Sequence, residues 1–391
     1  SDIRGPLFVE AMKRQKQGID VLKLNTGNPA TFGFGLPDSI KNALMEHMQD
    51  GVGYCDFKGM PQARQAICDY ETSKGITGIT PDDVFIGNGV SEVVSFALTP
   101  LLNDGDEVLV PSPSYSLWGN SVYLEDGKPV FYTCDEKANW YPDIQDIRSK
   151  ITDKTKAIVI INPNNPTGVL YPKEILLEII QVAREFGLLI FADEIYDRLV
   201  MDGKQHISLA SLTEDVPVIT LNGLSKSHCL CGYRCGWMVI SGPRELTEDY
   251  RQGIIQLTSL RLCANTMAQI VIPAALDDME TPASMIRPSG RIYEQREATV
   301  RELEKINGLS FVKNDAAFYV FPKLDVKKFN ITNDKQFAHD LLDATNILLV
   351  PGSGFDWKDP DHFRIVMLPQ ADVLSDAIRR MGTFLDGYKQ K

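Results

Sequence analysis

The chain has 391 residues, 43 % apolar and 24 % charged, and its 40 basic and 52 acidic side chains leave a net charge of −12. That is a globular composition, and the acidic balance argues against nucleic acid or an anionic membrane surface as a partner. Seven cysteines, no leader-like apolar core in "SDIRGPLFVEAMKRQKQG" and no apolar run near about 18 residues lead us to expect reduced thiols, a cytoplasmic protein and no membrane-spanning helix.

The first 35 residues carry little sheet pattern. From there "DDVFIG" (82–87) predicts a strand and "VSEVVSFALTPLL" (90–102) a helix. "DEVLVP" (106–111) and "KPVFYT" (128–133) predict two more strands, and "KAIVII" (156–161) is apolar throughout, as a strand covered on both faces must be. "PKEILLEIIQVAREF" (172–186) repeats apolar residues at helical spacing behind a proline, whose missing N–H is harmless at a helix start. "LLIFAD" (188–193), "VPVITLN" (216–222) and "GWMVIS" (236–241) continue the strand series. This alternation predicts an α/β domain with a mostly parallel sheet flanked by helices. Beyond about residue 285 the texture changes to a long helix (289–306), "AAFYVF" (316–321), a helix at 334–345, "ILLVPG" (347–352), "FRIVML" (363–368) and a last helix (371–387), a smaller α+β domain. The expected division is 1–35 as an arm and part of the small domain, 36–285 as the large domain and 286–391 as the small one.

Ligands of open α/β sheets gather outside the carboxyl ends of the strands. Polar groups follow four predicted strands: Gly87-Asn88-Gly89-Val90-Ser91, then "NPNNPTG" (162–168), then Asp193-Glu194-Ile195-Tyr196, then Ser225-Lys226. Backbone N–H groups of Val90 and Ser91 at a helix start suit a phosphate. The segment is no dinucleotide fingerprint, since Glu92 stands at the third glycine position, and it lacks the Lys-Ser/Thr of a P-loop. Taken singly, each feature also reads as a capped helix, a turn or a solvated loop. Together they offer an anion cradle, an amide (Asn165), a carboxylate that is costly at an apolar strand end unless paired (Asp193), a phenol (Tyr196) and an amine (Lys226). An amine among cations such as Arg234, with its pKa lowered, is a nucleophile for carbonyls. Cys229, Cys231 and Cys235 lack the paired spacing of a metal knuckle, and His47, His206, His228, His339 and His362 form no spaced cluster; no metal is expected.

"LSKSHCLCGYRCGW", "NPNNPTG", "FADEIYD", "GNGVSE" and "GYCDFKG" resemble segments of the class I/II aminotransferases, pyridoxal-phosphate enzymes of fold type I. The resemblance spans nearly the whole chain. It implies a large domain on a mostly parallel seven-stranded sheet, a smaller α+β domain, and pyridoxal 5′-phosphate as cofactor. It implies that Lys226 is the Schiff-base lysine, that Asp193 pairs with the pyridine nitrogen, and that Tyr196 and Asn165 bond the ring oxygen. Tyr115 would stack on the ring, and Val90, Ser91, Ser225 and Arg234 would hold the phosphate. Tyr54 would reach the phosphate of a neighbouring subunit in a homodimer with shared sites. Arg364 would fork onto the substrate α-carboxylate, which the Asn165 amide would also hold, and Gly27 would let backbone approach it. "DIRGP", "LNTGNPATFGF", "RLCAN" and "GRIYEQR" are similar to bacterial glutamate–pyruvate (alanine) aminotransferases. Such an enzyme handles amino acids and 2-oxo acids with and without a distal carboxylate. A movable cation suits that double demand, with Arg4 on the arm as the first candidate and Arg261 as the second. The alternatives are an aspartate- or aromatic-preferring aminotransferase and a C–S β-lyase. A DNA-binding regulator built on the same fold fits the acidic charge poorly, and an NAD-dependent dehydrogenase lacks its third glycine.

Overall fold

The computed structural model describes residues 4–391. Its centre is a sheet of seven strands, Val84–Asn88, Glu107–Ser112, Lys128–Asp135, Thr155–Ile161, Leu189–Asp193, Val218–Gly223 and Cys235–Ser241, with the two-residue strand Tyr141–Pro142 added as an eighth at one edge. In space the order is 84–88, 235–241, 218–223, 189–193, 155–161, 107–112, 128–135 and 141–142. The five strands from 218–223 to 128–135 are parallel, whereas 235–241 runs antiparallel to both of its neighbours.

Strand alternation divides the core into two layers. Ile158, Ile160 and Ile190 pack with Leu176, Ile179 and Ile180 of helix Lys173–Phe186 on one face. Ala157, Val159, Ile161 and Phe191 pack with Val93, Val94 and Ala97 of helix Val90–Leu98 and with Trp118 on the other. Each of the Ile, Leu, Val and Phe side chains among them contributes about 1.5–3 kcal/mol on burial, and a charge placed in either layer would be costly without a partner. Helix Lys173–Phe186 starts after Pro172, and Gly187 ends it at φ 66, a left-handed cap.

The C-terminal third builds a second core. Strands Tyr319–Val320 and Val350–Pro351 flank Phe363–Val366, both antiparallel to it. Leu303, Phe337, Leu341, Ile365, Leu374 and Ile378 pack together there, joined by Leu24 from the N-terminal segment. That segment is less sheet-poor than its sequence suggests: Leu22–Lys23 pairs in parallel with Ile347–Leu348.

Two predicted strands are broken up. Only Tyr319–Val320 of 316–321 is strand, because Ala317 takes φ 57 and its N–H turns to Leu199 O at 2.9 Å. The run 347–352 is shared between two sheets, its first two residues pairing with 22–23 and residues 350–351 with 363–364. Among the described residues no helix is long and apolar enough to cross a membrane.

Candidate active site

Register delivers the polar groups to one edge. Ile161 pairs with Asp193, and Asp193 with Leu221. The chain therefore leaves three adjacent strands side by side into Asn162–Asn165, Glu194–Tyr196 and Ser225–Lys226. Farther along the sheet Gly223 pairs with Gly236 and Asn88 with Cys235, which brings the Gly89 turn and Arg234 to the same end.

Lys226 is half-buried, and its Nζ donates to Gly27 O at 2.8 Å and lies 3.8 Å from Cys231 Sγ. The expected lowering of this amine by cations is reversed. Burial and Arg364 do disfavour its charge, but Tyr319, Cys231 and Tyr115 outweigh them and hold it above its ordinary value. Asp193 is buried at 5 % exposure; Trp118 Nε1 donates to it at 3.0 Å and the Ile195 N–H at 3.4 Å. Burial pushes its carboxyl up to about 6 against the pull of those two donors, and no lysine, arginine or histidine among the described residues pairs with it. Tyr196 is buried too, its hydroxyl 2.8 Å from that of Tyr319.

Arg364 is the opposite case, a buried cation without a carboxylate among the described residues. Its guanidinium lies between the rings of Tyr319 and Phe355, 4.6 Å from each centroid. It donates to Asn165 Oδ1 at 2.8 Å and to Asn25 O, while its Nε has no partner among the described residues. Burial lowers its pKa, partly offset by Tyr319, Tyr196 and Tyr115. A buried unpaired charge is expensive, so this pocket is built for an anion that arrives with a ligand. Asn165 spends its oxygen on Arg364 and keeps its amide nitrogen to donate. Gly27 is required here, because a Cβ on it would collide with Tyr319 Oη.

The anion cradle forms around Gly89, at φ 82 ahead of helix Val90–Leu98, which has no side-chain cap. A Cβ on Gly89 would strike the Arg234 guanidinium, and one on Gly236 would strike the Val90 nitrogen. Arginine and uncapped helix amides thus face one space, with Ser91 exposed and Ser225 half-buried. Glu92, the residue that departs from the dinucleotide fingerprint, braces this turn: it accepts from Asn88 N at 2.6 Å and Asn88 Nδ2 at 3.1 Å. Its carboxylate in turn holds Arg261 at 2.6 Å, and Arg261 also donates to Phe57 O and Ile86 O. Arg261 is therefore tied to the cradle through Glu92.

An unpaired buried carboxylate, an arginine-lined phosphate cradle and a lysine amine suit a phosphorylated pyridine aldehyde, the group the motifs imply. Tyr115 is exposed at the cleft, close enough to act on the charges of Lys226 and Arg364. Two expected residues stand apart from this cleft, Tyr54 having been expected at the site of a neighbouring subunit. Tyr54 is 84 % exposed, makes no hydrogen bond among the described residues, and lines a cavity of about 570 Å³ with Val52 and Cys263–Thr266. Arg4 is exposed just ahead of helix Pro6–Lys16. The seven cysteines are free thiols, and among the described residues no group of three or more His, Cys, Asp or Glu could hold a metal ion.

Sequence reasoning missed Trp118 and Tyr319. Trp118 stands three residues after Tyr115 in "PSPSYSLW", so their spacing was a usable signal; Tyr319 was a polar tip inside an apolar run, which must find a partner when buried. It also missed the layer behind the cleft. Lys74 Nζ meets Glu71 at 2.7 Å, Glu194 at 2.8 Å and Asp197 at 3.2 Å, so one cation serves three buried carboxylates next to Asp193 and Tyr196.

A family model described as aminotransferase class I and II matches residues 19–380. Glutamate-pyruvate aminotransferase AlaA of Haemophilus influenzae is 50 % identical over 389 residues, covering 100 % of this chain and 96 % of that protein. An alanine aminotransferase of Mycobacterium tuberculosis is 45 % identical over 390 residues, covering 100 % of this chain and 91 % of its own length. Among solved structures, an aminotransferase from Escherichia coli superposes with a TM-score of 0.98 at 48 % identity, covering 100 % of this chain and 96 % of that one. An alanine aminotransferase from Pyrococcus furiosus superposes with a TM-score of 0.94 at 41 % identity, covering 98 % and 96 %.

Proposed function

The chain belongs to the class I and II aminotransferases, whose cofactor is pyridoxal phosphate, and on that footing we propose that it moves an amino group between alanine/pyruvate and glutamate/2-oxoglutarate. The observation that carries this reading is full-length similarity, at 45–50 % identity, to relatives named glutamate-pyruvate aminotransferase and alanine aminotransferase. The charge pattern of the cleft supports it: Asp193 lacks a cation and Arg364 lacks a carboxylate among the described residues.

When bound, the cofactor supplies an aldehyde that links to an amine and a ring that takes up electrons released at the substrate Cα. The chain's residues do the rest. Arg364 binds the α-carboxylate of either amino acid as a planar fork, turning Cα toward Lys226. Lys226 Nζ, as the neutral amine, would remove the Cα proton. Asp193, held by Trp118, would keep the pyridine nitrogen of the bound cofactor protonated, and Asn165 and Tyr196 would donate to its ring oxygen. Tyr115 would cover the ring face, and Val90, Ser91, Ser225 and Arg234 would hold the phosphate. The two half-reactions share one site, so ping-pong kinetics follow.

The protein acts in the cytoplasm as a homodimer, with Tyr54 reaching the cofactor phosphate of the partner subunit. The exposure of Tyr54, Val52, Leu260 and Leu262 supports such an interface. On this reading residues 36–285 are the cofactor-binding unit and 286–391 with 4–35 the smaller one, residues 1–3 lying outside the described residues. Arg4 meets the distal carboxylate of glutamate and withdraws for alanine. Arg4→Ala then raises KM for glutamate and leaves alanine unaffected; equal kinetics with both would end the Arg4 assignment. The test of the whole reading is glutamate formation from alanine and 2-oxoglutarate, with and without pyridoxal phosphate, beside aspartate, phenylalanine and cystathionine. Faster turnover of any of those three would assign the specificity elsewhere.

A further inference from the structure

Tyr319 touches more of the cleft than its place in an apolar strand suggests. It is 2 % exposed, and its hydroxyl lies 2.8 Å from the Tyr196 hydroxyl, the two rings meeting edge to face at 5.6 Å. The face of its ring carries the Arg364 guanidinium at 4.6 Å, and Phe355 closes the other side at the same distance. Its hydroxyl fills the space over Gly27 that a Cβ would need, and Gly27 O accepts the Lys226 ammonium. Its strand pairs Tyr319 with Val366 and Val320 with Ile365, alongside the strand that carries Arg364.

We propose that Tyr319 is a positioning residue that ties the carboxylate pocket to the Tyr196 phenol, its ring orienting Arg364 and its hydroxyl polarising Tyr196. This rests on the reading of the cleft given above. The hydrogen-bond arithmetic is strict. A phenol has one proton, so if Tyr196 donates to the ring oxygen of the cofactor, its own oxygen must accept from Tyr319. A hydroxyl that accepts one bond becomes a stronger donor in the next. The ring acts separately. Sandwiched by Tyr319 and Phe355, the guanidinium keeps one plane, and a fixed plane is what a two-pronged grip on a carboxylate requires.

The experiment separates the hydroxyl from the ring. The visible absorption of the pyridoxal-phosphate-loaded protein is followed against pH for the wild type, Tyr319→Phe, Tyr196→Phe and the double variant. Losing donation to the ring oxygen makes its negative charge less favourable, so the midpoint rises. We expect a rise of about half a pH unit for Tyr319→Phe, a larger rise for Tyr196→Phe, and no added effect of Tyr319→Phe once Tyr196 is already Phe. Tyr319→Phe retains the ring and leaves KM for alanine and glutamate within about twofold, whereas Tyr319→Leu raises both together by about fivefold or more, with a smaller change in kcat. An unshifted midpoint in Tyr319→Phe, or a shift that persists in the Tyr196→Phe background, overturns the coupling. A wild type that takes up no pyridoxal phosphate and makes no glutamate defeats the functional reading instead.

Discussion

Glu71 is fully buried beneath the cleft, its Oε1 accepting from Trp237 Nε1 at 3.3 Å and its other oxygen 2.7 Å from Lys74 Nζ. Lys74 must also serve Glu194 and Asp197, so Glu71 is the carboxylate it cannot fully neutralise. Burial raises its pKa, Glu194 and Asp197 add to the rise, and Lys74 opposes it, leaving the group at about 7 against an ordinary 4.5. The folded protein thus holds a proton that the unfolded chain releases, and stability falls as pH climbs from about 4.5 to about 7. The loss from this group approaches about 3 kcal/mol above both values. At about 2.1 cal/mol/K per residue over 391 residues, that is about 4 °C in thermal midpoint. Glu71→Gln keeps the shape and removes the titration. Calorimetry of apo wild type and variant at one protein concentration should give a variant-minus-wild-type difference that grows by about 2 °C between about pH 5.5 and 8.5, the rest of the loss falling at lower pH. A difference that stays constant across that range refutes the assignment of the shared proton to Glu71.

Arg364→Lys keeps a charge but loses the fork and the stacking between Tyr319 and Phe355, so KM for alanine and glutamate should both rise about 10–100-fold; steady-state kinetics with each substrate check it. Trp118→Phe removes the side-chain donor that holds the Asp193 carboxylate. Its carboxyl then rises further, and titration of apoprotein with pyridoxal phosphate should show roughly tenfold weaker binding. His362 lies between Asp361 at 2.7 Å and Glu136 at 3.1 Å, joining the end of strand Lys128–Asp135 to the strand of Arg364. Burial disfavours its charge, yet the two carboxylates hold its pKa above the ordinary 6.5. Its contribution is whole below about 6.5 and is lost as pH rises through the higher value; in His362→Gln this part of the alkaline decline in thermal midpoint should disappear.

Local chemistry determined much of this protein in advance. Seven apolar runs became the seven main strands within one or two residues, because a strand covered on both faces tolerates little else. The polar residues just beyond them, from Gly89 to Lys226, had to lie at strand ends, since a charge in either core layer would be costly without a partner. Tertiary structure decided what no local pattern carries. Ala317 turns into a left-handed conformation because Leu199, far away in sequence, takes its N–H. Arg261 meets Glu92, 169 residues distant, a pairing no local pattern announces. Tyr319 reads as core until the fold sets it between Tyr196, Arg364 and Gly27, and Lys74 reads as surface until three carboxylates close around it. Hydrophobic periodicity reports which face is buried. Only packing reports which polar group waits there, because a charge is satisfied by whatever partner the fold brings within a few ångströms.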